Sequence, residues 1–177
     1  GWEEMTITAR AGTYMHCSIP EWQNMEIEET KERKHGEVLR PGWGNFQLFE
    51  TRPDSSDSGY GDHPDYRFIK DAKDALPRLA DGDEPWSLYV GLNAPHDPFR
   101  VPQKFLDIYD LEDIPLPPTY NDDLADKPRV YQRMRRQYWG QLSEEEIRDA
   151  IRHYWAYCTM VDTMFGEVLE ALEQTGQ

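Results

Sequence analysis

Gly91-Leu92-Asn93-Ala94-Pro95-His96-Asp97-Pro98-Phe99-Arg100-Val101 follows directly on the apolar run Trp86-Ser87-Leu88-Tyr89-Val90. A run of strand character over residues 86–92, ending in a turn with a histidine between two prolines, holds one imidazole rigidly at a sheet edge. Each proline fixes its own φ and biases the residue before it toward extended geometry. In open α/β sheets ligands bind outside the carboxyl ends of the strands, where His96 is expected to stand. The plain alternative is a loop histidine between turn-forming prolines, and the motif alone does not separate the two.

The flanking segments fit an α/β layer. Upstream, Phe68, Ile69, Ala72, Ala75, Leu76 and Leu79 recur at three- and four-residue spacing and predict an amphipathic helix starting near Asp65. Pro77 is expected to end or bend it. Asp81-Gly82-Asp83-Glu84-Pro85 then turns the chain into the apolar run, and helix, turn, strand and loop in this order read as α/β architecture. Downstream, residues 102–109 predict a short helix with Phe105 and Leu106 inward. Ile114-Pro115-Leu116-Pro117-Pro118 is extended but too proline-rich for a central strand, and residues 121–127, including Asp122-Asp123, read as a solvated acidic turn.

A long packing helix is expected over residues 143–175. Ser143 followed by Glu146 is a capping box, and Glu144, Glu145 and Glu146 suit the positive end of a helix. Ile147, Ile151, Tyr154, Cys158, Val161, Phe165, Val168 and Leu172 are the expected buried face, with Gly176 as the stop. His153 and Asp162 on this helix are read as structural.

The chain has 177 residues, 34 Asp and Glu against 19 Lys and Arg, and a net charge of −15. Its length suits one domain with a substantial core. The acidic balance argues against nucleic acid or an anionic membrane as partner. With six Trp, ten Tyr and six Phe, the chain has too many aromatic groups for wholesale disorder. It contains neither a membrane-length apolar run nor a signal-peptide pattern. Residues 1–64 are the least regular: Trp2, Trp22, Trp43, Met15, Met25 and Phe46 lie scattered among charges, and residues 53–62 form a turn-rich surface loop. Cys17 and Cys158 lack metal-ligand or disulfide-framework spacing. Cys158 is read as a core residue. Cys17, beside His16, is not read as a nucleophile, because neighbours on an extended segment point to opposite faces.

Several stretches taken together carry a family resemblance: Pro85-Trp86-Ser87-Leu88-Tyr89-Val90-Gly91, Ala94-Pro95-His96-Asp97-Pro98-Phe99, Val101-Pro102, Phe105-Leu106-Asp107-Ile108-Tyr109, Ile114-Pro115-Leu116-Pro117-Pro118, and the helix with Tyr154, Val161-Asp162 and Gly166-Glu167-Val168-Leu169. In this order they resemble the middle of a sulfatase, from the alkaline-phosphatase-like superfamily. The likeness runs collinearly from about Asp65 to Gln177. It implies an α/β sandwich, a mixed sheet flanked by helices, of which residues 1–177 would be a single partial domain. It also implies a calcium-type divalent metal and a formylglycine made from Cys or Ser, whose hydrated aldehyde attacks the sulfur of a sulfate ester. Metal and hydrogen-bonding groups around the anion stabilise the transition state, and a positioned acid eases departure of the alcoholate. The family role that carries over is that of His96, as a catalytic and substrate-binding group at the sulfate or its leaving oxygen.

The departures are as informative. The family's modification motif is Cys or Ser followed by X-Pro-X-Arg, and Cys17-Ser18-Ile19-Pro20-Glu21 fails it. The paired aspartates of the family's first strand and its later Asp-Asn or Asp-His pair have no counterpart. The sequence therefore predicts an internal piece of a sulfatase that supplies a substrate-side residue, with the calcium ligands and formylglycine elsewhere. A phosphonate monoester or phosphodiester hydrolase of the same superfamily, and a non-catalytic binding or structural module, are the competing readings. The expected partner is a small-molecule or carbohydrate sulfate ester, and a periplasmic or secreted location would follow the family's habit.

Overall fold

The computed structural model describes residues 32–40 and 44–177. Strands β1 (Glu37–Arg40) and β2 (Gly44–Gln47) form an antiparallel pair, with Val38 opposite Phe46. Strand β3 (Phe49–Arg52) pairs in parallel with β4 (Phe99–Pro102), Thr51 opposite Val101. Between β3 and β4 lies helix α1 (Tyr66–Ala80); after β4 come α2 (Gln103–Leu106), α3 (Arg129–Gln137) and the long α4 (Glu144–Glu173). Small sheets against helices make the mixed α/β arrangement that the sequence predicts. None of the helices among the described residues is long and apolar enough to cross a membrane.

Helix α1 buries Ile69, Ala72, Ala75 and Leu76, the stripe read from spacing, and it runs past Pro77 to Ala80. A proline in the last turn forfeits one backbone bond without ending the helix, since the carbonyl of Pro77 still accepts from the N–H of Asp81 at 3.1 Å. Helix α2 buries Phe105 and Leu106 as expected. In the acidic turn, the carboxylates of Asp122 and Asp123 accept from the N–H of Leu124 and Ala125, both at 2.8 Å, the local bonding that makes Asp a turn residue.

Helix α4 starts at the predicted capping box: Ser143 Oγ accepts from the Glu146 N–H and the Glu146 carboxylate accepts from the Ser143 N–H. Its buried face is not the predicted one. Ala150, His153, Ala156, Tyr157, Met160 and Met164 are buried, together with Glu146. The expected residues, from Ile147 to Leu172, are half-buried, and Tyr154 is exposed. The face is displaced by one residue, about 100° of helix rotation. Two polar side chains made the true face unreadable, because each finds a partner from far away in the chain: Glu146 takes Arg33 and Gly36, and His153 takes Thr51 Oγ1 at 3.1 Å. Glycine is required at position 36, where φ is +69° and a Cβ would lie 2.7 Å from the Phe49 ring.

Residues 86–92 correct a second expectation. Trp86, Leu88, Val90 and Leu92 are half-buried and Ser87, Tyr89 and Gly91 exposed, which is the period-two alternation of a strand. Yet the segment joins no ladder with any described residue. Strand identity depends on a neighbour's N–H and C=O groups, and no described strand lies alongside. The regular strand is β4, so His96 precedes a strand instead of following one.

Most of the core lies where α4 meets α1, α2 and β4. Tyr60, Ile69, Val101, Phe105, Met160 and Met164 are buried there. A second cluster of Val38, Leu48, Phe49, Leu142 and Ala150 joins the first hairpin to the start of α4. The 53–62 loop is tied to the first cluster through Tyr60, whose hydroxyl donates to Glu167 at 2.6 Å; Glu167 also takes Lys73 at 2.7 Å and Tyr66 at 3.2 Å, which locks loop, α1 and α4 together.

Candidate functional site

His96 sits on a loop anchored at both ends. At the near end, Ala94 is buried among Val101, Phe105, Met160 and Met164, and its N–H donates to Asp65 Oδ2 at 2.7 Å. At the far end, the Phe99 N–H donates to the Leu48 carbonyl at 2.8 Å as β4 begins, and the Phe99 ring meets Tyr154 edge-on. The His96 N–H closes the turn onto the Asn93 carbonyl at 3.0 Å. Both proline peptide bonds of the loop, Ala94–Pro95 and Asp97–Pro98, are cis. Buried anchors thus carry an exposed imidazole whose side chain is 70% accessible.

The ring is oriented by its own neighbour. His96 Nδ1 donates to the Asp97 carbonyl at 2.6 Å and lies 2.8 Å from an Asp97 carboxylate oxygen. With the proton held on Nδ1, Nε2 is the free position: an acceptor in the neutral ring and a donor in the imidazolium. Among the described residues Nε2 has no hydrogen-bond partner. The arrangement can present one donor or acceptor to an anionic group or an ester oxygen.

Asp65 is the anchor that sequence reading missed. It stands at the N-cap position of α1 yet makes no side-chain cap bond, because its carboxylate, only 5% exposed, is turned toward Ala94. Its own N–H donates to His63 Nδ1 at 3.2 Å, which puts the neutral ring's proton on Nε2, facing the Tyr157 hydroxyl at 3.0 Å. Burial pushes the His63 pKa down, against the pull of nearby Asp65, so the ring stays neutral. Burial likewise pushes the Tyr157 hydroxyl up to about 12. Tyr157, His63, Asp65 and the Ala94 amide therefore form a neutral-ended chain of hydrogen bonds from the middle of α4 to the histidine loop. Only the helix-start signal of Asp65 was visible in the sequence.

Asp65 acts through the loop, as a positioning residue. Asp65→Ala leaves the buried Ala94 N–H without an acceptor, and thermal melts are expected to show a loss of about 1–3 kcal/mol, the cost of a buried unsatisfied amide. Asp65→Asn keeps an acceptor oxygen and is expected to recover most of that stability. Equal losses in both variants would reject the positioning role.

The other candidate residues lie apart. His153 is buried against Thr51 and Phe49, and Asp162 is exposed on α4; Cys158 is a half-buried thiol on α4. Cys17, His16, Trp22 and Trp43 lie outside the described residues. No group of three or more His, Cys, Asp or Glu among the described residues could hold a metal ion.

A model of the Sulfatase family matches residues 7–177. The chain belongs to the sulfatase family. It is 29% identical to a sulfatase of Formosa agariphila over 161 residues, which are 87% of this chain and 29% of that protein. It is 30% identical to the iduronate 2-sulfatase of Mus musculus over 133 residues, 68% of this chain and 24% of the relative. With an endo-4-O-sulfatase of Bacteroides thetaiotaomicron it shares 25% identity over 179 residues, 93% of this chain and 30% of the other. The chain thus spans less than a third of the length of these relatives. The mixed α/β arrangement is that of part of a sulfatase domain, in a family of hydrolases. The metal that the family implies has no ligand set among this chain's described residues.

Proposed function

We propose that the complete protein hydrolyses a sulfate ester and that His96 supplies a contact to the sulfate group or its leaving oxygen. The observation that carries this reading is the coincidence of the family match with the loop geometry. Within a sulfatase-family chain, one imidazole is held on buried anchors, oriented through Nδ1, and left open at Nε2. A formylglycine nucleophile and a divalent metal belong to the same proposal, supplied from outside the described residues. What this chain contributes is the positioning of one polar group against an anionic ester, where a donor strengthens as charge builds on the departing oxygen.

A carbohydrate ester is the favoured substrate class, because a relative at 30% identity is named for iduronate, a sugar acid. The test is a panel on the complete protein: sulfated oligosaccharides, 4-nitrophenyl sulfate, a phosphonate monoester and a phosphodiester. Release of sulfate at a kcat/KM at least a hundredfold above either phosphorus ester is expected. Preference for the phosphonate or phosphodiester would replace the sulfatase reading with the related hydrolase, and no turnover of any ester would favour a non-catalytic module.

A further inference from the structure

We propose that the cleft between the 119–124 turn, α3 and the start of α4 binds an acidic sugar ring of an oligosaccharide, apart from the residue that touches the scissile ester. This rests on the sulfate-ester reading and adds a second contact region for the same class of substrate.

The chain as a whole is strongly acidic, but α3 is not. Its nine residues hold Arg129, Arg133, Arg135 and Arg136 and no carboxylate. Four arginines without an intervening carboxylate make this helix locally favourable for an anion in a chain that is acidic overall. Arg135 is half-buried and lines a cleft of about 430 Å³, a size in the range of small-ligand sites. Among the described residues its guanidinium has no hydrogen-bond or ion-pair partner. Asp122, the one acid in the cleft wall, is already engaged by the Leu124 N–H.

The apolar side of the cleft is aromatic. Tyr120, Tyr131 and Trp139 line it, over Leu142 and Ile147. Tyr131 and Trp139 are 53% and 47% exposed, and with Val130 and Met134 they gather four of the nine exposed large apolar side chains among the described residues into positions 130–139. Clustering of this kind marks a contact surface, whereas single exposed residues do not. Flat faces beside an open guanidinium suit a ring that is apolar on its faces and anionic at its edge.

The cleft is also built to keep its shape. Gln132 Nε2 donates to the carbonyls of Leu124 at 3.0 Å and Lys127 at 3.1 Å, which ties the turn to α3. Gly140 lets the chain turn closely over the end of the helix, since a Cβ there would lie 2.8 Å from the Arg135 carbonyl. Along α4 the cleft is at Ile147, whereas Phe99, three residues after His96, meets Tyr154. Seven residues of helix separate those levels by about 10 Å, an axial offset an oligosaccharide can span.

The test is the dissociation constant of a chondroitin sulfate hexasaccharide for the complete protein, with maltohexaose as the neutral comparator. Arg135→Gln and Trp139→Ala are each expected to weaken binding tenfold or more. Both side chains are partly exposed, so the fold should survive; Trp139→Phe keeps a ring and should lose less than threefold. Arg67→Gln removes an equal charge from α1 and should leave affinity within twofold of wild type. Wild-type affinity in Arg135→Gln or Trp139→Ala would overturn the proposal, as when another part of the complete protein covers the cleft, and so would equal binding of maltohexaose. Binding is read without turnover, so Arg135-dependent binding in a protein that cleaves no sulfate ester would uphold the cleft while removing the sulfatase reading.

Discussion

His96→Ala in the complete protein is expected to lower turnover of a sugar sulfate by about a hundredfold, the scale of a lost general acid or charge-stabilising donor. The anchors explain why so much should rest on one exposed side chain. Ala94 is fixed by Asp65 and Phe99 by Leu48, so the loop stays in place when the imidazole is removed. The loss should therefore fall on kcat more than on KM. The leaving group separates the two roles open to His96. An alcohol leaves poorly without a proton, whereas 4-nitrophenolate leaves well unaided. If His96 donates a proton, the loss on 4-nitrophenyl sulfate should be less than about tenfold. Equal losses on both esters would assign His96 to the sulfate group itself, and unchanged turnover on both would sink the role altogether.

Glu146→Ala is expected to destabilise the protein by on the order of 3 kcal/mol, the lower end of the cost of breaking a buried pair, because Arg33 retains some access to water. Glu146 is 4% exposed. It accepts from Arg33 Nη1 and Nη2 at 2.6 and 2.7 Å, from the Gly36 N–H at 2.8 Å and from the Ser143 N–H at 2.8 Å. Truncation removes half of the capping box, strips the guanidinium of its carboxylate partner so that only backbone carbonyls such as that of Glu37 at 2.9 Å remain to it, and leaves the buried Gly36 amide without its acceptor. The same carboxylate sets an acid limit. Burial works to raise its pKa, but the hydrogen bonds from Arg33, Ser143 and Gly36, with the Arg33 charge, bring it down to about 2. A folded-state pKa below the unfolded one contributes stability that is present above the unfolded value and lost as pH falls through the folded one. The contribution should be complete above about pH 4.5, the ordinary value, and gone near pH 2. Thermal melts of wild type and Glu146→Ala should therefore converge across that window. A gap that stays constant down to pH 2 would show that the carboxylate's charge is not what matters.

Much of the fold was legible where it depends on near neighbours. The capping box at Ser143 and Glu146, the turn at Asp122-Asp123 and the α1 stripe are made by residues within a few positions of one another, so spacing reveals them. Helix α3 passed unread although Pro128, followed by nine residues free of Gly and Pro, is a fair helix start; its scarcity of apolar residues hid it. Strands β1 to β3 were lost in the irregular first third, where four-residue strands offer too little alternation to stand out.

His96 was found because its signal is local: prolines on either side, an apolar run before it, and motifs in a fixed order around it. The residues that hold it were not found, because their partners are distant. Asp65 reaches Ala94 across 29 positions, and the start of α4 is held in the same way, with Arg33 reaching Glu146 across 113. Hydropathy marks an Asp, a Glu or a His as surface, and only a partner brought in by the fold makes its burial favourable.

By itself, then, the sequence determined the α/β class, the two principal helices and the start of the long one, the histidine loop and the family. Those depend on composition, spacing and bonds within a turn or two. The tertiary structure alone decided which face of α4 is buried, that residues 86–92 keep strand alternation without a ladder, and that Asp65 clamps the loop. It also gathered Arg135 with Trp139 and the 119–124 turn around one cleft. Each of these depends on which distant groups arrive within hydrogen-bonding or van der Waals reach, and no local pattern encodes that.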